Sequence, residues 1–284
     1  MKNNNESIAF LGPEATFTHQ AAVSIYGNSH ELIAAENIED VFDLVDKGEC
    51  IHGIVPIENS YEGFVNRTID LFYEYPLKIL AECYCKIEHH IFSLAESLED
   101  LERIYSHPMV YPQCRLWLKN NLPGIPFLQV PSTAYGAREA SDDPKSAAIC
   151  CRMAGEVYGL KCLHENIEDV PGNYTRFSVI SKSSGPRPTG DDKTSMLFLL
   201  NHIPGALHKA LGAIAKREIN LNHIHSRPLR SRSWEYLFIL DLTGHQEDPL
   251  VAEALKELEE HCVFTKHLGS YPAGSQSWRL SNKK

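Results

Sequence analysis

The sequence predicts an α/β fold in two parts: a two-lobed domain with a cleft between its lobes, and a smaller βαββαβ ferredoxin-like plait after it. Three observations predict this. Short apolar runs that end in polar loops and pass into helix-spaced segments recur from Ile8 to Phe72 and again from Arg103 to Tyr158, the pattern of largely parallel sheets flanked by helices. The apolar stretch Thr175–Ile180 returns the chain to the first lobe, and crossings of that kind make a hinged cleft with a site between the lobes. The polar, Gly/Pro-containing run Ser181–Asp192 then reads as a linker, after which the pattern changes to βαββαβ. The expected division is a first domain at 7–182 (lobe 1 about 7–78 and 167–182, lobe 2 about 79–166), a linker at 183–194, the plait at 195–272, and a tail at 273–284 that is disordered beyond Gly274.

Ile8-Ala9-Phe10-Leu11 is a buried strand closed by Gly12-Pro13. Helical spacing through Thr18, Ala21, Ala22 and Ile25 stops at Gly27, so Thr16, Phe17 and Thr18 lie at a helix N-terminus. Free N–H groups there favour an anion; Thr18 as a simple N-cap fits equally. Ile38, Val41, Phe42, Leu44 and Val45 mark a helix ended by Gly48. Gly53–Ile57 is a buried strand that Pro56 marks as short or at a sheet edge. It delivers Glu58-Asn59-Ser60 at its carboxyl end, where ligands of such sheets gather. A helix through Val65, Ile69 and Phe72 follows, and Leu77–Cys85 alternates like a strand leading out of the lobe.

In the second lobe Ser97-Leu98-Glu99-Asp100 is a capped helix start, and Arg103–Tyr105 is a strand ending in Ser106-His107-Pro108. Gln113, Cys114, Trp117, Leu118 and Leu122 mark a helix; strands at Phe127–Val130 and Ala147–Cys150 each lead to another, the first opened by Ser132-Thr133 and the second running to Tyr158. The plait has strands at Met196–Leu200, Leu221–His225, Tyr236–Leu242 and Val263–Leu268. Its helices are marked by Leu207, Leu211 and Ile214 and by Val251, Leu255 and Leu258.

At 284 residues the chain holds two domains with proper cores, and 43% apolar with 23% charged residues is the balance of a soluble globular protein. A net charge of -10 with no Lys/Arg-rich run argues against nucleic acid, and means that an anionic substrate needs local positive groups. Met1–Ser7 is polar, neither signal peptide nor anchor, and no apolar run approaches a membrane span. The eight cysteines lie scattered on apolar stretches with no Cys-x-x-Cys, which reads as reduced core residues of a cytoplasmic protein. Cys83 and Cys85 share a strand face near His89, but no second ligand pair has zinc-site spacing, so no metal is expected.

The most chemically suggestive stretch is Asn173-Tyr174-Thr175-Arg176-Phe177, a hydroxyl, a guanidinium and a ring at the mouth of a strand. Alternation sends Thr175 and Phe177 to one face and Arg176 to the other. In a loop all three could turn to one ligand; the bland alternative is a strand start with an exposed arginine. Asn-x-Thr-Arg-Phe here, Gly-Pro-Glu-x-Thr-Phe at Gly12–Phe17 and Val-Pro-Ile-Glu-Asn-Ser at Val55–Ser60 occur in the order found in prephenate dehydratases, and the chain resembles that family from about Ile8 to about Pro272. The plait, with Gly205-Ala206-Leu207 and Ser226-Arg227-Pro228, resembles the ACT domain, a small amino-acid-sensing module.

The resemblance implies a two-lobed, periplasmic-binding-protein-like catalytic domain that makes phenylpyruvate from prephenate with loss of water and carbon dioxide. It implies Thr175 at the leaving hydroxyl, a weak acid that donates a hydrogen bond or passes on a proton, and Glu58 as the best source of that proton if burial raises its pKa; a loop-holding carboxylate paired with Arg176 is the alternative. Asn59 and Gln113 complete the catalytic set. Arg176 and the N–H groups around Thr16 and Phe17 would take the two carboxylates, Ser60 and Ser106 would orient the substrate, and Phe177 would wall the departing carboxylate. His107 is a further protonatable candidate. No metal or organic cofactor is implied.

For the ACT domain the resemblance implies feedback by phenylalanine at Gly205, Ala206, Leu207, Asn220, Leu221, His225, Ser226, Arg227 and Pro228, in a homo-oligomer (dimer or tetramer) with sites between subunits. This chain departs from the family at three places. His225 replaces a usual Glu, which predicts weaker or pH-dependent phenylalanine sensitivity. Ala15 replaces a Gly, which suggests a loop without positive φ, and Met109 replaces a Gln, which removes one cleft hydrogen bond. With only polar residues before Ile8, no fused chorismate mutase is expected. The rivals are an arogenate dehydratase and an amino-acid sensor without catalysis; the presence of Thr175, Arg176, Glu58 and Asn59 together speaks against the sensor.

Overall fold

A computed structural model describes residues 6–27, 29–229 and 235–274, so the tail expected to be disordered lies, from residue 275 on, outside the described residues. The first lobe is built from β1 (Ile8–Leu11), α1 (Phe17–Tyr26), β2 (Leu32–Ala35), α2 (Ile38–Lys47), β3 (His52–Asn59), β4 (Gly63–Phe64), α3 (Asn66–Glu74), β5 (Lys78–Lys86) and, much later in the chain, β11 (Tyr174–Ser181). Its sheet has the order β2-β1-β3-β11-β5, with β4 on β3. β1 is parallel to β2 and β3, while β11 is antiparallel to both β3 and β5. The sheet is therefore mixed rather than largely parallel.

The second lobe holds β6 (His90–Ser93), a 3₁₀ turn at Leu98–Asp100, β7 (Arg103–Ser106), α4 (Val110–Asn121), β8 (Phe127–Gln129), α5 (Thr133–Ser141), β9 (Ser146–Cys150), α6 (Arg152–Val157) and β10 (Lys161–His164). Its sheet, β10-β6-β9-β7-β8, is also mixed.

Local chemistry sets the element ends. Asn37 caps α2 by accepting from the Asp40 amide at 3.0 Å, Glu39 and Asp40 complement the helix N-terminus, and Gly48 ends the helix at φ 76. Ser132 caps α5 in the same way, accepting from Tyr135 N–H at 3.0 Å.

Three expectations are corrected here. Pro56 is not on an edge strand: β3 lies in the middle of its sheet. The register against β11 steps from Glu58 to Pro56 opposite Arg176 and Phe177, and that bulge accommodates a residue without an N–H. The Leu77–Cys85 run does not leave the lobe; as β5 it pairs with β11 along its length, so the first crossing to lobe 2 lies beyond Lys86. The capped start at Ser97 yields only a 3₁₀ turn, with the reciprocal Ser97/Asp100 box in place. Strands β6 and β10 had no sequence signal strong enough to predict them.

The plait comprises β12 (Asp192–Leu200), α7 (Ala206–Ala215), β13 (Leu221–Pro228), β14 (Tyr236–Thr243), α8 (Pro249–Glu260) and β15 (Cys262–Pro272), in the sheet order β13-β14-β12-β15. One face of this sheet is covered by α7 and α8 around Met196, Phe198, Leu240 and Leu258. The other face, with Leu197, Leu199, Ile239 and Tyr271, shares a core with Phe42, Phe72 and Ile79 of the first lobe. Gly269 marks how closely β15 approaches β5: at φ 137, a Cβ there would stand 2.5 Å from the Ile79 carbonyl oxygen. The plait is thus docked on the first lobe through an apolar face that would otherwise be exposed.

Candidate active site

Between the two lobes lies a cavity of about 430 Å³, lined from the first lobe by Thr16, Phe17, Asn59, Asn173 and Thr175 and from the second by His107, Gln113, Ser132 and Thr133, with His89 at the crossing between them. The register of β11 on β3 builds its polar floor. Thr175 lies opposite Asn59 and Arg176 opposite Glu58, so one rung of the ladder faces the cavity and the next faces away.

The floor is a continuous hydrogen-bond chain whose direction is fixed at both ends by the backbone. Asn59 Oδ1 accepts from the amides of Tyr61 at 2.9 Å and Glu62 at 3.2 Å, which leaves its Nδ2 to donate to Asn173 Oδ1 at 2.8 Å and to Thr175 Oγ1 at 3.0 Å. Asn173 Nδ2 donates to Gln113 Oε1 at 2.9 Å, and Gln113 Nε2 donates to the Met109 carbonyl at 3.1 Å. Ser60 supports Asn173 from behind, donating to its Oδ1 at 3.2 Å and accepting from Tyr174 N–H at 3.0 Å. The Thr175 oxygen is therefore an acceptor toward Asn59, and its own proton is free to point into the cavity.

Among the described residues no lysine or arginine lines the cavity. The groups there that suit an anion are the N-termini of α1, α4 and α5, which all open onto it at Phe17, Val110 and Thr133, while Glu36 is the one carboxylate among the lining residues. Thr16 is the N-cap of α1, accepting from His19 N–H at 3.3 Å, while the first-turn amides of Phe17 and Thr18 lack an intrahelical acceptor. Thr133 N–H at the start of α5 is free in the same sense. Burial holds His107 and His89 below the ordinary imidazole pKa, so both are neutral near pH 7.

Thr175, Asn59, Gln113, Thr16 and Phe17 thus meet at the cavity, whereas five other expected residues do not line it. Arg176 is 2% exposed and points through the opposite face of the sheet into the interface with the plait. There it donates to Asp241 of β14 at 2.5 Å and to Glu82 at 3.3 Å, and lies 3.2 Å from Glu58. Strand alternation outweighed the loop alternative, so this guanidinium is not available to a carboxylate in the cleft. Glu58 shares that face, paired with Arg176 and 3.6 Å from His223 Nδ1, which is the loop-holding alternative rather than the proton source. Phe177 packs into the lobe 1 core with Phe10, Ala22 and Cys83. Ser106 is buried, its hydroxyl committed to the Ile149 carbonyl at 2.6 Å. Ser60 acts on Asn173 instead of reaching the cavity.

Ala15 is a further correction: its φ is 62, so the loop does adopt the left-handed region and alanine bears it. Met109 lines the cavity, but it is its backbone carbonyl that matters to the chain. Two residues that the sequence reading did not assign are Asn173 and His89. Asn173 stood in the Asn-x-Thr-Arg-Phe motif and was legible there; His89 had no periodic or motif signal.

In the plait, Gly205 (φ 79) N-caps α7, and Ala206 and Leu207 line a second cavity of about 160 Å³ with Leu200, Ile203 and Tyr236. The other expected effector residues turn elsewhere within this chain. His225 stacks on Phe64 of the first lobe at 4.9 Å and reaches Asn66 Oδ1 at 3.3 Å, and Arg227 pairs with Asp70 at 3.0 Å. Ser226 and Pro228 are exposed on the alternate face of β13, and Asn220 and Leu221 lie at its start, with Asn220 bonded to Asn222 at 2.7 Å.

A family model described as prephenate dehydratase matches residues 8–185, and one described as ACT domain matches residues 194–260. A bifunctional chorismate mutase/prephenate dehydratase from Aquifex aeolicus is 45% identical over 265 residues, 93% of this chain and 73% of that protein. A prephenate dehydratase from Bacillus subtilis is 34% identical across 96% of this chain and 99% of its own length. Among solved structures, the prephenate dehydratase from Arthrobacter aurescens in complex with L-Phe has a TM-score of 0.88 at 36% identity, covering 94% of this chain and 90% of its own. A chain described as a novel type of quorum-quenching acylase has a TM-score of 0.85 at 29% identity, covering 94% and 98%. By the extent of the first family match and the full-length likeness to the Bacillus protein, the chain belongs to the prephenate dehydratase family.

Proposed function

We propose that the cleft converts prephenate to phenylpyruvate, with Thr175 as the hydrogen-bond donor to the departing oxygen. In that reaction the ring C–O bond and the bond to the ring carboxylate both break. The electron pair of the C–CO₂ bond enters the ring, which becomes aromatic, and the oxygen leaves as hydroxide that takes up a proton to become water. The barrier lies in the negative charge that grows on this oxygen. The observation that carries the reading is the polarised chain: Asn59 donates to Thr175 Oγ1, which leaves the threonine proton for an acceptor in the cavity. A donor fixed before the charge develops needs no reorganisation when it does.

The two substrate carboxylates are assigned to the free amides at the starts of α1 and α5, in place of the arginine that the sequence suggested. Helix N-termini suit anions without bringing a mobile cation close to the hydroxyl that must leave. Phenylalanine is assigned to the plait as a feedback inhibitor, acting between subunits of a homo-oligomer. Within one chain His225 and Arg227 turn to the first lobe while Ala206 and Leu207 line a separate cavity, so a second chain is needed to complete a site from that set.

The test is to incubate the protein with prephenate, with arogenate and with an N-acyl amide, and to follow phenylpyruvate by its alkaline absorbance, phenylalanine by chromatography and free acid by titration. Phenylpyruvate from prephenate is expected. Turnover of arogenate alone, or of the acyl amide alone, would contradict the assignment.

A further inference from the structure

The reaction just proposed uses Thr175, Asn59, Asn173 and Gln113, yet the hydrogen-bond chain does not stop at Gln113. Its Oε1 takes a second contact from the far side, His89 Nε2 at 3.1 Å. His89 stands at the crossing between the lobes, 2% exposed, with the edge of Phe17 against its ring at 6.1 Å between centroids. Its other nitrogen, Nδ1, is buried and has no hydrogen-bond partner among the described residues. That is a costly arrangement for a group with no role, since a buried acceptor left unpaired forfeits its hydration.

The tautomer follows from the backbone. The Met109 carbonyl can only accept, so Gln113 presents Nε2 to it and Oε1 to both Asn173 and His89. An oxygen facing His89 requires that Nε2 carry the proton, which leaves Nδ1 as a bare lone pair. The chain is not a proton wire, because three carboxamides stand between the imidazole and the threonine and none relays a proton readily. It transmits orientation. Gln113 Oε1 is held between two donors, Asn173 is held by Gln113, and Asn59, whose Oδ1 the Tyr61 and Glu62 amides already set, is held on its donor side by Asn173.

We propose that His89 is a positioning residue for the dehydration: as the neutral Nε2–H tautomer it clamps Gln113, and through Asn173 and Asn59 it fixes the direction in which Thr175 offers its proton. Burial, which keeps the imidazole neutral, favours this state. The inference rests on the reading of the cleft given above and adds to it a residue from outside the motif set.

Four measurements test it. His89→Phe removes the donor but keeps the ring volume, and it should lower kcat by about 10- to 100-fold with KM within about threefold, the size of effect that follows from a small misplacement of a catalytic group. His89→Gln restores an N–H donor at nearly the same reach and should recover most of that loss. In a Gln113→Leu background His89→Phe should cost little more, because its route to Thr175 is already cut. In the unaltered protein, ¹⁵N spectra of labelled histidine should show His89 with a protonated Nε2 and a bare Nδ1 at neutral pH, a readout that needs no variant to fold. The inference is overturned by equal kcat for the Phe variant and the parent, by Gln failing as badly as Phe, by additive losses with Gln113→Leu, or by the opposite tautomer. An inactive parent protein would instead sink the assignment of the reaction.

Discussion

Two adjacent side chains on β11 carry different duties because a strand alternates its faces. Thr175 looks into the cleft and Arg176 into the domain interface, although their neighbourhood in the sequence invited one site for both. What the sequence could not say was which face the ligand would occupy, and that depends on β3 and β5 closing on either side of β11. The hydroxyl and Asn59 were legible because they belong to motifs, and Gln113 because the resemblance marks it; the helix N-termini facing the cavity were only partly so, because backbone amides are announced by no residue type. Ala15 gives a test at this scale. Its left-handed φ costs an alanine about 1–2 kcal/mol, while its buried methyl contributes about 0.8 kcal/mol. Ala15→Gly should therefore raise stability by up to about 1 kcal/mol, measured by urea unfolding with an unchanged m-value; a loss of 1 kcal/mol or more would show that the loop is not strained.

Among the elements, the contact of β14 with β11 stands out. Arg176, Asp241, Glu82 and Lys193 form a buried ionic cluster across the interface, with Lys193 on Glu82 at 2.6 Å and Ser195 donating to Asp241 at 2.5 Å. Burial alone would raise the Asp241 pKa, but the Arg176 guanidinium, helped by the Ser195 hydroxyl, holds it below the ordinary 3.8. A carboxyl with a depressed folded-state pKa stabilises the docked form above 3.8, and that contribution is lost as pH falls through the lower folded value. Docking should therefore fail first in acid, seen as faster proteolysis at residues 182–191 below about pH 3.8. Asp241→Asn should bring the same cleavage at neutral pH and cost up to about 3 kcal/mol, because it takes the nearest charge partner from a buried guanidinium and leaves it only Glu82 and Glu58, whereas Arg176→Met with Asp241→Leu should cost less than either single change. It should also weaken inhibition by phenylalanine, since one end of this contact lies one residue from Thr175. Cleavage independent of pH and unaltered inhibition would remove the cluster from the route between the domains.

For the whole molecule, the two lobes, the crossing strand and the plait were readable from recurring strand–loop–helix patterns and one linker, whereas the docking of the plait on the first lobe was not. The parallel character of the sheets and the exit point of β5 were not, because pairing partners far apart in the chain decide them: β5 meets β11 some ninety positions later. The same long-range closure brings Asn59, Gln113 and Thr175 together, and the account stands on the hydroxyl at their meeting point. The most direct test is steady-state phenylpyruvate formation by the parent protein and by Thr175→Val, which keeps the shape and removes the donor. A loss of about 10²-fold or more in kcat with little change in KM is expected, and equal rates would contradict the role given to Thr175.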